Sequence, residues 1–141
     1  MARSGPIVLV EDDGEDVDIL REALAELSVE NEVRAFTSCI ECWDYLQTTR
    51  EMPLLILSDV NLPALSGLDF KRRIDNDPYL RRKSIPFIFY STSVSQQTVN
   101  AAYTDMTVQG FFQKANNFSG IKDSLKRIIE YWKDCKHPNI I

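Results

Sequence analysis

Residues 54–63, LLILSDVNLP, place an acid where a buried strand should continue. Four apolar residues in a row are typical of a strand that is covered on both faces, as in a parallel sheet. Asp59 follows after a single serine, at a position where burial of an unpartnered carboxylate would cost several kcal/mol. We therefore expect the strand to end here, with Asp59 either reaching solvent or held by a cation.

The rest of the chain repeats this pattern of a short apolar run followed by a helical period. Between the runs, apolar side chains recur at i, i+3, i+4 and i+7, the spacing of one helix face. Parallel neighbours need crossover connections, so alternating strands and helices predict an α/β fold with helices on both faces of a parallel sheet. The predicted strands cover residues 7–10, 33–36, 54–57, 86–90 and 110–113, and the helical patterns fall near residues 17–27, 40–46, 68–74, 99–106 and 121–132.

Local signals predict where several helices begin and end. Asp13 is a candidate N-cap for the first helix, and Asn117 or Ser119 for the last. Asp77-Pro78 is expected to end the third helix, because the residue before a proline avoids helical backbone angles. The sequence thus predicts five strand–helix pairs.

Length and composition favour one soluble domain. A chain of 141 residues with 44% hydrophobic and 26% charged residues has the balance of an ordinary globular domain. The formal net charge of −5 disfavours nucleic acid as a partner, and no run approaches the roughly 18 apolar residues that span a membrane. We expect a cytoplasmic protein with no nucleic-acid or membrane partner, one domain over residues 5–135, short tails at 1–4 and 136–141, and no output domain.

The three cysteines are expected to be free thiols, because an odd count argues against a disulfide framework. Cys39 and Cys42 have the spacing of a metal or redox motif, and Cys135 with His137 could complete a four-ligand zinc set. The first two lie in a predicted amphipathic helix, and free cysteine is among the most buried residue types. We favour core packing over a metal site.

Charged or hydroxyl side chains follow four of the five predicted strands. Each is ordinary by itself, because such residues after strands are usually helix caps or solvated surface. In an open parallel sheet, the carboxyl ends of the strands form the edge where ligands bind, so we expect these side chains to converge. They are Glu11, Asp12 and Asp13 after the first strand, Asp59 after the third, Ser91, Thr92 and Ser93 after the fourth, and Lys114 after the fifth.

Such a group of side chains suits phosphoryl transfer. Carboxylates a few ångströms apart repel by roughly 4 kcal/mol per pair at an effective dielectric constant near 20, so they favour a divalent cation between them. Mg²⁺ prefers oxygen ligands and keeps waters that a phosphoryl oxygen can replace. One carboxylate is then available as a nucleophile, while Lys114 and Ser91 are placed to stabilise the transferred oxygens.

Basic and aromatic side chains elsewhere are weighed both as binding residues and as ordinary surface or core residues. Two basic clusters near the third helix are interpreted as a solvated face, because the domain is acidic overall and shows no DNA-reading helical module. Tyr103, Phe112 and Tyr131 are candidates for a partner or dimer surface, but for each of them we favour core packing, since aromatic side chains are mostly buried. The basic clusters are Lys71, Arg72 and Arg73, and Arg81, Arg82 and Lys83.

Four motifs in combination make the chain similar to the receiver domains of response regulators, the phosphoacceptor modules of two-component signalling. The motifs are VLVEDD at 8–13, LILSDVNLPALSGLDF at 55–70, YSTS at 90–93 and FFQK at 111–114. The resemblance extends from Ile7 to about Trp132. It implies a doubly wound, flavodoxin-like (βα)5 sheet with strand order 2-1-3-4-5.

The resemblance also implies a metal site around a phosphoacceptor. Asp59 matches the residue that is phosphorylated and that ligates Mg²⁺. Asp12 matches a direct Mg²⁺ ligand, and Glu11 an acid that reaches the metal mostly through water. The backbone carbonyl of Asn61 matches the third protein ligand.

Further positions match the groups that bind and sense the phosphoryl group. Ser91 corresponds to the switch hydroxyl, and Lys114 to a lysine that assists the reaction and binds the phosphoryl group. Phe111 corresponds to the switch aromatic residue. Pro63 and Gly67 match the loop that follows the acceptor strand.

Two places depart from the family pattern. The small residues that the family has before the fifth strand are replaced by Thr107 and Val108, and the second departure follows the lysine. The family usually has a cis proline after the lysine, whereas Ala115 follows Lys114 here. A non-proline cis bond costs about 3 kcal/mol more than trans, so the shape of this loop does not follow from the resemblance. The Ser-Thr-Ser run at 91–93, the turn at 114–117 and the stretch IEYW at 129–132 are similar to small stand-alone receivers that partner bacterial phytochromes and related histidine kinases.

The resemblance implies that Asp59 takes a phosphoryl group from a sensor histidine kinase, a phosphotransfer protein or a small phosphodonor, with Mg²⁺ as cofactor. Phosphorylation would draw Ser91 toward the phosphate and let Phe111 rotate inward. The surface of the fourth helix, fifth strand and fifth helix would then bind a partner or a second copy of the chain. The protein would catalyse only its own phosphorylation and slow dephosphorylation.

Three other classes of protein share parts of the pattern. A phosphoaspartate phosphatase of the haloacid-dehalogenase type needs Asp-x-Asp, and Asn61 replaces the second acid. A flavin-binding electron carrier shares the fold, but the acidic first loop lacks the Gly, Ser and Thr residues that cradle FMN phosphate. A receiver that is never phosphorylated and only binds partners is disfavoured by the complete set of site residues.

Overall fold

The protein folds around a sheet of five parallel strands. The structure, a computed structural model, describes residues 2–92 and 94–137. The strands are β1 (Ile7–Val10), β2 (Val33–Phe36), β3 (Leu55–Ser58), β4 (Phe87–Ser91) and β5 (Gly110–Gln113). Their order is β2-β1-β3-β4-β5, and every neighbouring pair is parallel. The predicted α/β fold and its strand order are confirmed.

Helices connect the strands, and a short 3₁₀ helix at Ala2–Ser4 precedes the first of them. In the part of the chain that the structure describes, no helix has the length and apolar character needed to cross a membrane. The α-helices are α1 (Gly14–Glu26), α2 (Cys39–Thr48), α3 (Gly67–Asn76), α4 (Pro78–Lys83), α5 (Gln96–Asp105) and α6 (Phe118–Asp134).

Alternation of side chains along the strands divides the core into two layers. Ile7 and Leu57 belong to the layer that packs against α1 and α6. Val8, Ile56 and Phe89 belong to the layer that packs against α2, α3, α4 and α5. Every residue of β1, β3 and β4 is buried, which explains why these strands appear in the sequence as continuous apolar runs.

Polar caps start α1 and α6 beside the carboxyl ends of β1 and β5. The Asp13 carboxylate accepts a hydrogen bond from the Glu15 N–H at 2.9 Å, as predicted. The Asn117 side chain accepts one from the Gly120 N–H at 2.7 Å, so Asn117 and not Ser119 caps the last helix. These caps satisfy backbone N–H groups that a helix leaves free at its start.

The third helix is followed by a short helix that the sequence analysis missed. Asp77 ends α3 through its N–H, which donates to the Ile74 carbonyl at 3.2 Å. Its carboxylate also starts α4 by accepting from the Tyr79 N–H at 3.2 Å. Pro78 occupies the first turn of α4, where its missing N–H has no consequence. The predicted fourth and fifth helices are therefore α5 and α6.

Several assignments to surface and core are wrong. Lys71, expected on a solvated face, is only 4% exposed and pairs with Asp75 at 2.7 Å. Tyr103 and Tyr131, expected in the core, are 54% and 61% exposed, and Phe112 is half-buried. Burial of each of these residues depends on which side of its element meets the sheet, and residue type alone does not determine that.

The cysteines pack as free thiols, as expected. Cys39 and Cys42 are buried in α2, and Cys135 is half-buried. Burial raises the pKa of the Cys39 thiol to about 12, which disfavours the thiolate form that binds metals. His137 instead places a ring nitrogen 2.8 Å from the Leu54 carbonyl. Within residues 2–92 and 94–137, the cysteines and this histidine form no group of three or more potential metal ligands.

Candidate functional site

Asp59 lies at the carboxyl end of the middle strand. β3 ends at Ser58, and the Asp59 N–H continues the sheet pattern by donating to the Val10 carbonyl at 3.0 Å. The side chain is half-buried, and its Oδ1 accepts a hydrogen bond from the Val60 N–H at 2.7 Å. The carboxylate therefore reaches the edge of the sheet with one oxygen held by the backbone.

Three carboxylates meet at this edge of the sheet. Glu11, Asp12 and Asp59 each offer an oxygen, and these oxygens lie within 4.8 Å of one another. Burial raises the pKa of Glu11 to about 8, helped by a hydrogen bond with Asp59 and opposed by the charge of Lys114. Burial and the neighbouring carboxylate thus both disfavour the charged form of Glu11. This all-oxygen donor set fits a hard divalent cation such as Mg²⁺.

Asn61 and the loop that follows it lie next to Asp59. Asn61 is exposed, and its N–H lies 3.4 Å from Asp59 Oδ1. That the Asn61 backbone carbonyl ligates a metal ion stays a prediction. Gly67 holds the loop close, because its N–H donates to the Val60 carbonyl at 2.8 Å. A Cβ on Gly67 would lie 2.2 Å from the Asp59 carbonyl oxygen, so this approach requires glycine.

Ser91 is brought directly onto Asp59. It is the last residue of β4 and is fully buried. Its hydroxyl donates a hydrogen bond to Asp59 Oδ1. Thr92 is exposed, and Ser93 lies outside the described residues. Of the predicted Ser-Thr-Ser run, Ser91 is the residue that the fold places in contact with the candidate phosphoacceptor.

Lys114 brings a buried positive charge to the same edge. It directly follows β5 and is 7% exposed. Its Nζ lies 3.6 Å from Glu11 Oε2 and 3.5 Å from Asp16 Oδ2. Neither contact is a hydrogen bond, and Nζ has no hydrogen-bond partner among the described residues. Buried charged donors are normally paired, so this ammonium group is available to an anion that enters the site.

The end of β5 is tied to its neighbour although Ala115 stands where the family usually has proline. The Lys114–Ala115 peptide bond is trans. The Lys114 N–H donates to the Ser91 carbonyl at 2.6 Å. Three residues before the lysine, Phe111 is half-buried, and its ring centre lies 5.3 Å from that of Phe89. A switching role for Phe111 stays a prediction.

Asp16 also belongs to the site, although the sequence analysis did not single it out. It lies in the first turn of α1, and its side chain is 34% exposed. An acid there is commonly explained by its favourable interaction with the helix N-terminus, which hides any second role. The missed signal is its place in the turn that directly follows the acidic pair Glu11 and Asp12, at the carboxyl end of β1.

Comparison with known proteins gives a family and a relative that both cover most of the chain. The family described as the response regulator receiver domain matches residues 7–126. Response regulator Rcp1 from Synechocystis sp. is 28% identical over 131 residues, which cover 89% of this chain and 87% of Rcp1.

Solved structures of similar proteins agree with this match. The phosphorylated cyanobacterial phytochrome response regulator RcpA superposes with a TM-score of 0.83 and is 32% identical, covering 96% of this chain and 98% of its own. The Mn²⁺-bound form of response regulator Rcp1 superposes with a TM-score of 0.81 and 26% identity, covering 95% of this chain and 98% of its own. The likeness therefore extends over whole chains and is not confined to the site motifs.

Proposed function

The chain belongs to the response regulator receiver domain family, and we propose that it accepts a phosphoryl group on Asp59. The observation that carries the proposal is that three kinds of group gather at the edge of the sheet where the half-buried Asp59 carboxylate lies. These are two further acids, a hydrogen-bonding hydroxyl and a buried ammonium group that has no hydrogen-bond partner among the described residues. Because these groups and Asp59 together come from four strand ends, neither helix capping nor surface solvation explains the arrangement.

The reaction is a phosphoryl transfer to a carboxylate. An Asp59 oxygen attacks the phosphorus atom of a phosphohistidine on a sensor kinase or phosphotransfer protein, or that of a small acyl phosphate. The phosphorus–nitrogen or phosphorus–oxygen bond of the donor breaks, and its electron pair leaves with the donor. When bound, Mg²⁺ offsets negative charge on the transferred oxygens. Asp12, Asp59 and the Asn61 carbonyl would hold the ion, and Glu11 would reach it through water.

The protein's own side chains orient the nucleophile and receive the product. The Val60 N–H and the Ser91 hydroxyl hold Asp59 Oδ1, which fixes the direction of the carboxylate. After transfer, the Ser91 hydroxyl would move its hydrogen bond to a phosphoryl oxygen. Lys114 would supply a buried positive charge to another phosphoryl oxygen. This role is favoured because Lys114 Nζ has no hydrogen-bond partner among the described residues.

The output is a change in the surface formed by α5, β5 and α6. Transfer of the Ser91 hydrogen bond would leave space into which the half-buried ring of Phe111 turns, coupling the site to β5. Exposed Tyr103 on α5 and Tyr131 on α6 give this surface apolar area for a partner or a second copy. The similarity to RcpA favours a phytochrome-type histidine kinase as the donor, acting in the cytoplasm on a single domain of residues 5–135.

Mass spectrometry of the intact chain tests the proposal. With acetyl phosphate and Mg²⁺, we expect the wild-type chain to gain the mass of one phosphoryl group. The gain should be absent with a metal chelator and in Asp59→Asn. A wild-type chain that gains no such mass, or an equal gain in Asp59→Asn, would refute the mechanism. Steady turnover of p-nitrophenyl phosphate would instead favour a phosphatase.

A further inference from the structure

The buried ammonium group of Lys114 is held on one side of the site. Its ion-pair partners among the described residues are Glu11, at 3.6 Å, and Asp16, at 3.5 Å. Asp59 is not one of them, although it is the carboxylate on which the other groups converge. Among the described residues, the ammonium group is therefore ion-paired with acids just before and within the first turn of α1, and not with the nucleophile.

Asp16 is placed to be responsible for this position. It belongs to the first turn of α1, whose start is fixed by the Asp13 cap, and its side chain is 34% exposed. Glu15 lies in the same turn and is exposed. Both acids are well placed for the helix N-terminus, but the Asp16 carboxylate alone of the two also pairs with the buried lysine. The contact with Lys114 is thus separable from the ordinary effect of an acid at a helix start.

We propose that Asp16 is a positioning residue that holds the Lys114 ammonium group away from Asp59 until a phosphoryl group competes for it. The inference rests on the proposed function, because Lys114 is the group through which Asp16 acts. The phosphoryl oxygens carry negative charge next to Asp59, and they must draw the ammonium group from one anion to another. Asp16 therefore lowers the affinity of the site for a phosphoryl group.

Removing the charge of Asp16 should strengthen binding of a phosphoryl analogue. In Asp16→Asn the side chain keeps its size but loses the charge that attracts Lys114. We expect beryllofluoride to bind about two- to fivefold more tightly at saturating Mg²⁺, the range that a partly exposed ion pair supports. Asp16→Glu keeps the charge and should bind as the wild type does. Glu15→Gln removes a charge from the same turn and should also leave the affinity unchanged.

The experiment combines a beryllofluoride titration with NMR of the lysine side chain in the full chain. The dissociation constant is measured at saturating Mg²⁺ for the wild type, Asp16→Asn, Asp16→Glu and Glu15→Gln. Without beryllofluoride, the Lys114 Cε and Nζ signals should shift in Asp16→Asn and stay in place in Glu15→Gln. If Asp16 acts only on the start of the helix, Asp16→Asn and Glu15→Gln should both change the thermal stability. The affinity for beryllofluoride and the Lys114 signals of both variants should then equal those of the wild type.

The outcomes separate this inference from the function on which it rests. If the wild type binds beryllofluoride and Asp16→Asn binds it equally well or more weakly, the positioning role is overturned and the proposed function stands. The same follows if Glu15→Gln gives the same gain as Asp16→Asn. If the wild type binds no beryllofluoride in the presence of Mg²⁺, the proposed function and this inference fall together.

Discussion

The two ends of the sheet each hold a buried lysine, and the two lysines have opposite surroundings. The side chains of Lys71 and Lys114 are 5% and 6% exposed. Lys71 Nζ donates to Asp75 Oδ1 at 2.7 Å and to Thr107 Oγ1 at 3.2 Å. Lys114 Nζ has no hydrogen-bond partner among the described residues. Among the described residues, nearly equal burial thus occurs with two hydrogen bonds for Lys71 and with ion-pair contacts but no hydrogen bond for Lys114.

The difference separates a structural charge from a functional one. A buried charge is tolerated when hydrogen bonds replace the water that it has lost, and removing either partner then leaves the other stranded. A buried charge without such bonds costs stability, and we interpret Lys114 as a charge whose surroundings a ligand would complete. We therefore expect mutations of Lys71 to affect folding and mutations of Lys114 to affect phosphorylation.

Replacing Lys71 should have the largest effect on stability. In Lys71→Met the Asp75 carboxylate loses its positive partner while remaining largely buried, so we expect a loss of about 3–5 kcal/mol in the free energy of unfolding. Urea denaturation measures this loss. Lys126→Met, an exposed lysine of α6, is the matched control and should change stability by less than about 0.5 kcal/mol. A loss below about 1 kcal/mol for Lys71→Met would show that the pair is not structural.

Replacing Lys114 should affect phosphorylation more than stability. In Lys114→Met an ammonium group that has no hydrogen-bond partner among the described residues is exchanged for an apolar side chain of similar length, while Glu11 and Asp16 lose only a longer ion-pair contact, so the loss of stability should be smaller than in Lys71→Met. The rate of phosphorylation by acetyl phosphate should fall about 10²–10³-fold, because the transferred oxygens lose a preorganised positive charge. Denaturation and phosphorylation are measured on the same preparation. A destabilised chain with an unchanged rate would break the comparison between the two lysines.

Low pH should weaken the interaction between Asp75 and Lys71. Burial alone would raise the pKa of Asp75, but hydrogen bonds from Lys71 and from the N–H and hydroxyl of Thr107 hold it below its usual range. A carboxyl pKa lowered by folding adds stability above the unfolded pKa, and this stability is lost as the pH falls through the folded pKa. The unfolding free energy should therefore decline below about pH 4.

The slope of that decline tests the pairing of Asp75. Asp75→Asn cannot lose a charge, so its stability should depend less steeply on acid pH than that of the wild type. Asp123→Asn, an exposed aspartate of α6, is the control and should keep the wild-type slope. Equal slopes for all three proteins would mean that Asp75 is not stabilised in its charged form.

An ion pair nearer the surface should have the smallest effect. Arg34 and Glu51 form a two-bond pair at 2.7 and 3.2 Å, but their side chains are 33% and 37% exposed. Water and salt screen such a pair, so Arg34→Gln should cost less than about 1 kcal/mol. Urea denaturation at low and high salt measures the cost. An effect as large as that of Lys71→Met would show that burial does not distinguish these pairs.

The sheet and the polar caps could be predicted because their signals are local in the sequence. Buried parallel strands produce continuous apolar runs, and Asp13 and Asn117 bond to N–H groups two or three residues ahead. The short helix α4 was missed because Asp77-Pro78 is both a stop and a start signal. Local sequence does not distinguish the end of a helix from a boundary between two helices.

The features that could not be predicted, in the site and elsewhere, depend on contacts between distant segments. Lys71 is buried because Thr107, from the loop before β5, supplies a second hydrogen bond. Asp16 joins the site because β5 brings Lys114 to the start of α1. Both contacts need the strand order and the packing of helices on the sheet, which sequence periodicity does not describe.

The central claim is that Asp59 carries the phosphoryl group, and chemical mapping tests it most directly. The chain is incubated with Mg²⁺ and acetyl phosphate, reduced with borohydride to convert a phosphorylated aspartate to homoserine, and digested for peptide mass spectrometry. We predict homoserine at position 59 alone, and none when Mg²⁺ is chelated. Homoserine at Asp12 or another acid, with position 59 unmodified, would contradict the account.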